Sequence, residues 1–347
     1  MTASKQTTDG VTYGNGTTDS LMTYTYNWSG ALVEQQYPSG RAVKNVLDDN
    51  GDLSTVQSKK YADSGYWNYA QNFTYNAAGS VTSMQLGNGR WEKTQFNSRL
   101  QPTQIALGST PGATNELKLD YSYGNWNGTT IDTTKNNGNI VQQVITVTDV
   151  GMSPNGFTAT QKYYYDELNR ITDATEHVGS MQTWRQDFTY DRYGNRRFNF
   201  AGGATTVPVS TCTEAICNPT ISTSNNRITA TGWLYDNAGN TTRDGNYQTF
   251  TYDGENKQVE VKNSSNVSVG QYFYDGDGRR VKKIVPGTGE TTIFVYDASG
   301  KLIEEYSTNV ASVETAKVAY LTNDHLGSPR INTDRRGRGQ SCNSVIF

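Results

Sequence analysis

One short pattern recurs along this chain: an aromatic, any residue, Tyr, then Asp or Asn, any two residues, and Gly or Asn. It is centred on Tyr26, Tyr75, Tyr165, Tyr190, Tyr235, Tyr252, Tyr274 and Tyr296, in copies such as FTYNAAG, FTYDRYG, WLYDNAG and FVYDASG. Asp or Asn at the first position of a turn, with Gly at the fourth, marks a type I β-turn closed by a left-handed residue, a common hairpin connection. The Asx side chain hydrogen-bonds backbone two residues on, and Gly takes a positive φ without steric cost. The turn aspartates are Asp166, Asp191, Asp236, Asp253, Asp275 and Asp297. The left-handed position falls to Gly194, Gly239, Gly278 and Gly300 in four of those copies, and Asn169 and Asn256 take it in the other two.

Each turn is entered from a segment with a second aromatic two residues before the tyrosine: Tyr24, Phe73, Tyr163, Phe188, Trp233, Phe250, Tyr272 and Phe294. Residues two apart on a strand share a face. Every copy therefore places two aromatics on one face beside a turn, and the tyrosines are expected to align as ladders that line the inner face of a sheet. A longer period is visible near the N-terminus, where Tyr26, Tyr37 and Leu47 are followed at the same 11- and 10-residue steps by Tyr75, Leu86 and Phe96. This reads as a three-hairpin unit used twice, and such periods point to arrays or wound sheets.

The fold class that follows is all-β: repeated antiparallel β-hairpins wound into a large curved or spiral sheet. The 34 glycines suit frequent hairpins, and no stretch shows helical periodicity. Hydrophobic residues make up 34% of the 347, and Tyr (23) outnumbers Phe (10), Trp (6) and Met (5) together, so the apolar material is aromatic and wet-tolerant. A net charge of −3, with Arg335, Arg336 and Arg338 as the densest basic group, supports no nucleic-acid footprint. No segment reaches the ~20 apolar residues of a membrane span. The N-terminal MTASKQTTDG is no signal peptide, so either export is signal-independent or the chain is part of a longer one.

Catalytic chemistry is scarce. The two histidines are His177, with no nucleophile motif near it, and His325, in LTNDHLGSPR, which reads as a turn residue. The DGDG of Asp275–Gly278 lacks calcium-loop spacing and lies on a repeat turn. GNGR at Gly87–Arg90 is a Gly-rich hairpin rather than a phosphate cradle. No catalytic residue, cofactor or metal is expected. Cys212 and Cys217 have a spacing that suits a local disulfide or two free thiols, and Cys342 is left over. The tyrosines have two readings: they hold neighbouring hairpins together, or their faces stack on sugar rings.

At this point the residues resemble a known group. YYYDELNRIT, FTYDRYGNRR, YFYDGDGRRVKK and FVYDASGKLIEEY resemble the YD repeats of Rhs proteins. YLTNDHLGSPRINTDRRG, from Tyr320 to Gly337, is similar to the start of the Rhs-repeat-associated core. The resemblance divides the chain into a YD-repeat array (1–319), the core start (320–337) and a tail (338–347). It implies a β-sheet wound into a hollow shell, as in bacterial polymorphic toxins, the cocoon subunits of Tc toxin complexes and the YD shells of teneurins. In the bacterial cases the shell encloses a C-terminal toxin, often closed by an Asp-Pro self-cleavage motif.

The sequence stops ten residues after Gly337, so the downstream core, that motif and a toxin are expected to be absent, and no protease residue carries over. The reading is a non-enzymatic structural scaffold of a bacterial secreted or surface system, with the missing core and toxin as partners. A second reading is an adhesin or a filament subunit, because exposed sheet edges recruit strands and non-closing contacts give fibres. Self and glycans are then the partners. A third reading is a polysaccharide-active enzyme.

Overall fold

The structure, a computed structural model, describes residues 1–13, 22–61, 65–148, 156–206, 214–309 and 317–342. It is almost entirely β, in large antiparallel sheets and without a closed barrel. The chain forms two compact units that do not follow chain order. The first comprises Met1–Lys44, Ser58–Tyr66 and Cys212–Ala316, and the second Asn45–Gln57, Trp67–Thr211 and Lys317–Phe347.

The second unit is built on an antiparallel meander. Trp67–Tyr75, Val81–Leu86, Trp91–Phe96, Pro102–Gly108, Leu117–Tyr123, Ile140–Val147, Phe157–Tyr165, Ile171–Val178, Met181–Tyr190 and Arg196–Phe198 each pair with the next. Alternation decides which face is buried. Leu117, Leu119, Tyr121 and Tyr123 point to the core while Lys118, Asp120 and Ser122 point away, and Val141, Gln143, Ile145 and Val147 continue the buried face on the neighbouring strand. Leu86, Ile105, Leu107, Leu117, Leu119 and Ile145 centre this core. A separate three-stranded sheet, Ala319–Asn323, Pro329–Asp334 and Gly339–Cys342, adds Ile331 to the same cluster.

The first unit holds an eight-stranded meander running from Leu234–Tyr235 to Leu302–Ser307. Ile293 and Val295 of this meander pack against Met22 and Tyr24 of the strand Met22–Tyr26. That packing explains one departure from the repeat. The residue between the two aromatics is exposed in seven copies, but Val295 is fully buried. A short helix, Glu214–Cys217, ends at a disulfide-bonded Cys217, and Cys212 lies outside the described residues.

Every repeat except that of Tyr190 carries a register step between the tyrosine and the residue before it. A type I turn closed by a left-handed residue leaves one strand a residue longer, which is a β-bulge. In the Tyr296 copy, the Gln6 amide supplies hydrogen bonds beside this bulge. Its Nε2 donates to the Phe294 carbonyl at 2.8 Å, and its Oε1 accepts from the Tyr296 N–H at 3.0 Å.

Gly239 has φ +94°, whereas Gly254, inside another repeat turn, has no such constraint and open space around it. Gly239→Val should therefore lower stability by about 1–3 kcal/mol through backbone strain. Gly254→Ala should change it by less than about 0.5 kcal/mol. Urea unfolding of the two variants beside the parent checks both values.

Candidate functional site

Two layers of side-chain chemistry organise the described residues: the edge of each meander where the repeat turns lie, and a buried polar seat beneath the three-stranded sheet.

At the repeat turns, one Asp or Asn side chain closes each loop. Asp275 donates its N–H to the Arg279 carbonyl at 2.9 Å, and its carbonyl accepts from the Gly278 N–H at 3.0 Å. Its Oδ1 takes the N–H groups of Asp277 and Arg279 at 3.0 and 2.8 Å. Asp166, Asp191, Asp253 and Asp297 repeat all four bonds. Asp236 makes both backbone bonds and takes the Asn240 N–H on its Oδ1. The fourth turn residue is left-handed throughout: φ is 87° at Gly194, 94° at Gly239, 78° at Gly278, 81° at Gly300, 59° at Asn169 and 62° at Asn256. The Arg170 side chain, and then its backbone N–H, hold the Asp166 carboxyl below the usual carboxylate range. The Asn195 and Asn240 side-chain amides act in the same direction on Asp191 and Asp236.

The tyrosine hydroxyls link one turn to the next. Tyr274 Oη donates to the Gln258 carbonyl at 2.8 Å, and Gln258 is the first residue of the adjacent strand, just past the preceding repeat turn. The same bond joins Tyr75 to Leu53 at 2.6 Å, Tyr165 to Ile140 at 2.7 Å and Tyr190 to Ile171 at 2.7 Å. Tyr252 bonds to Thr241 at 3.0 Å and Tyr296 to Arg280 at 2.9 Å in the same way. Every acceptor opens a strand. Burial raises the Tyr165 hydroxyl to about 12, so it stays a donor at ordinary pH. Tyr235 departs from the pattern by accepting from the Ile228 N–H, and Tyr26 stands exposed. Tyr123, outside the repeat, donates to the Pro102 carbonyl at 2.9 Å and belongs to the same set.

The expected ring-to-ring ladder is not found: no two repeat tyrosines are in ring contact among the described residues. The copies lie on alternate strands, about 10 Å apart, beyond the ~7 Å reach of an aromatic pair. Guanidinium groups cover some of the rings instead, Arg170 over Tyr190 at 4.4 Å and Arg279 over Tyr296 at 5.9 Å.

The polar seat lies in the second unit. Tyr121, Gln143, Gln161 and Glu176 are directly opposed across four consecutive strands, so they share one face. All four are buried, Gln161 completely. Gln161 Nε2 donates to Glu176 at 2.7 Å, and Gln161 Oε1 accepts from the Tyr163 hydroxyl at 2.6 Å. The three-stranded sheet meets this face through the DHLGSPR segment. His325 sits edge-on to the Tyr121 ring at 4.8 Å, and burial holds its imidazole below the ordinary range. Asp324 and Arg330 form an ion pair at 2.9 Å with both side chains sealed from solvent.

Asp324 is also a turn aspartate: its Oδ1 takes the Leu326 and Ser328 N–H groups at 2.9 Å each. Asp334 builds the same turn with Arg336, Gly337 and Arg338. Both have D-x-x-G spacing in the sequence, but neither follows the aromatic-x-Tyr that completes the repeat. The GNGR hairpin also holds the sheet. Asn88 Nδ2 donates to Thr333 Oγ1 at 2.8 Å and to the Asp334 carbonyl at 3.1 Å. A Cβ on Gly87 would lie 2.2 Å from the Asn68 carbonyl oxygen of the adjacent strand and 2.5 Å from the Tyr320 hydroxyl of the sheet, so glycine permits both approaches.

Among the described residues no group of three or more His, Cys, Asp or Glu is placed to hold a metal ion. His177 lies on the strand Ile171–Val178, apart from His325 in its turn. Asp277 pairs with Arg279 at 3.1 Å. No helix among the described residues is long and apolar enough to cross a membrane.

No protein-family profile matches the chain. In sequence it is similar to the tRNA3(Ser)-specific nuclease WapA of Bacillus spizizenii, 28% identical over 157 residues, and to the tRNA nuclease WapA of Bacillus subtilis, 28% identical over 134 residues. These stretches are 45% and 38% of this chain, and they span only 6% and 5% of the two relatives. In three dimensions it is similar to a chain of the Photorhabdus luminescens Tc holotoxin pore, with TM-score 0.55 at 14% identity over 93% of this chain and 17% of that one. It is likewise similar to TcdB2-TccC3, with TM-score 0.55 at 15% identity over 92% of this chain and 18% of that one. At such identity the likeness concerns the fold alone, an arrangement of large antiparallel sheets.

The two kinds of turn aspartate should differ in weight. Asp324→Ala leaves the Arg330 charge buried and unpaired and should cost about 3–5 kcal/mol. Asp166→Ala, on a turn at the meander edge, should lower the midpoint far less. Denaturant midpoints of the two variants test the contrast.

Proposed function

We propose that this chain is a wall segment of an Rhs-type YD-repeat shell, a non-enzymatic scaffold of a bacterial secreted or surface toxin system. The observation that carries the reading is the recurring turn-and-hydroxyl link. It attaches six of the eight repeat hairpins to the strand before them, which is what a long wall needs and what a catalytic cleft does not. The fold shared with the Tc toxin chains supports it, as does the likeness of DHLGSPR to the start of the Rhs core. The 1–319 array, the 320–337 core start and the 338–347 tail are in this reading successive parts of one wall, and the wall's partners are a downstream core and an enclosed toxin. The turn aspartates, glycines and stitching tyrosines are its structural residues, and a Cys212–Cys217 disulfide would pin the loop they flank.

A second reading comes from the WapA names: a nuclease acting on tRNA. Imaging and incubation separate the readings. The purified chain viewed by negative-stain electron microscopy should give discrete curved particles, and it should leave tRNA intact over hours. Regular polymers would replace the wall with a filament subunit. Tyrosine-dependent retention on a glycan array would favour an adhesin. Cleaved tRNA would overturn the non-enzymatic assignment.

A further inference from the structure

We propose that the three-stranded sheet carrying DHLGSPR is a releasable flap, seated on the meander of the second unit over the Glu92 carboxyl that Thr322 covers, and that this seating loosens as pH rises. The flap's release is independent of any role in a toxin shell.

Besides Ile331, the Tyr320 ring beside Tyr69, the His325 ring against Tyr121 and the Arg335 guanidinium over Trp67 at 4.6 Å, the flap meets the meander through polar groups. Asn88 reaches Thr333 and the Asp334 carbonyl, the Tyr121 hydroxyl accepts from the His325 N–H at 3.4 Å, and Thr322 Oγ1 donates to Glu92 Oε2 at 3.1 Å. Elements held with few apolar contacts open at lower free energy than the core. Thr322 itself is buried, so the carboxyl it meets is covered when the flap is seated.

Among the described residues Glu92 has no cation to balance it. Met84 and Leu107 are the residues opposed to it on the two flanking strands, and both are apolar. From the flap it faces Thr322. Arg90, in the hairpin just before this strand, is paired with Glu116 at 2.6 Å. Arg330 is committed to Asp324, and Arg338 to Asp334 at 2.7 Å. Although the whole Glu92 side chain keeps some exposure, its carboxyl end is desolvated, and burial pushes it up to about 7 against a weaker opposing effect of the Thr322 hydroxyl.

The sign follows from linkage. With the flap open, the Glu92 carboxyl meets water and titrates near its ordinary 4.5. Seating is unpenalised below that value, weakens as pH rises from about 4.5, and levels off above about 7, once both states are ionised. His325 opposes this. Its imidazole is depressed on burial, so its contribution is present above its ordinary 6.5 and is lost as pH falls. Glu92 must therefore be isolated by comparison with a variant that cannot ionise.

The test is hydrogen exchange by mass spectrometry on the full chain at pH 6 and pH 8, corrected for intrinsic rates, reading amides 319–334 with the strand Ile140–Val147 as internal control. Relative to Glu92→Gln, parental protection of the flap should fall about tenfold between the two pH values, with the control strand unchanged. Equal pH dependence in parent and Glu92→Gln would overturn the proposal. If Glu92→Gln does not fold, Thr322→Val decides. Removing the hydroxyl that favours the ionised form should move the midpoint of the flap's decline to higher pH. A midpoint that stays in place or moves down would overturn the proposal.

Discussion

The hydrogen bond from a tyrosine hydroxyl to the carbonyl that opens the neighbouring strand is the interaction on which the rest of this structure depends. A hairpin closed by an Asx turn is a local object. It fixes its own register but says nothing about the next hairpin, and an isolated hairpin is marginal in water. The hydroxyl bond crosses from one repeat turn to the preceding one at the same end of the sheet, as from Tyr274 to Gln258 and from Tyr296 to Arg280. Each such bond contributes only about 1 kcal/mol net. Repetition is what makes them matter, because together they hold a meander whose aromatic face is only half-buried.

The bulge and the stitch are connected. The left-handed fourth residue lengthens one strand by a residue, the register steps beside the tyrosine, and the ring stands at the corner where its hydroxyl reaches the adjacent strand. Where the bulge is missing, at Tyr190, the stitch to Ile171 persists, so the bulge assists the reach without being required for it. The same turn chemistry is used again at Asp324, but there the carboxylate also neutralises a sealed arginine. One spacing thus serves both as an exposed hairpin connection and as the centre of a buried polar seat.

Much of this was legible in the sequence. The fold class followed from turn spacing, and the D-x-x-G geometry is local chemistry that needs no tertiary context. The tyrosine contacts were not legible in detail. Alternate-strand placement puts the rings out of reach of one another, and the backbone carbonyl they bond to carries no residue identity for a pattern to reveal. The buried row of Tyr121, Gln143, Gln161 and Glu176 was hidden for a related reason. Each residue is ordinary in its own strand, and the row exists only once four strands are in register. Glu92 was invisible because nothing in WEKTQF marks a carboxyl that Thr322 will cover, more than two hundred residues away in the chain.

The most direct measurement of the central claim is residue-resolved hydrogen exchange of Tyr274→Phe, which deletes one hydroxyl and keeps the ring. If the hydroxyl ties consecutive turns, protection should drop at two places: the tyrosine's own turn (275–279), and the start of the strand Gln258–Lys262 together with the turn before it. A loss confined to the tyrosine's own turn, or no loss at all, would contradict the account.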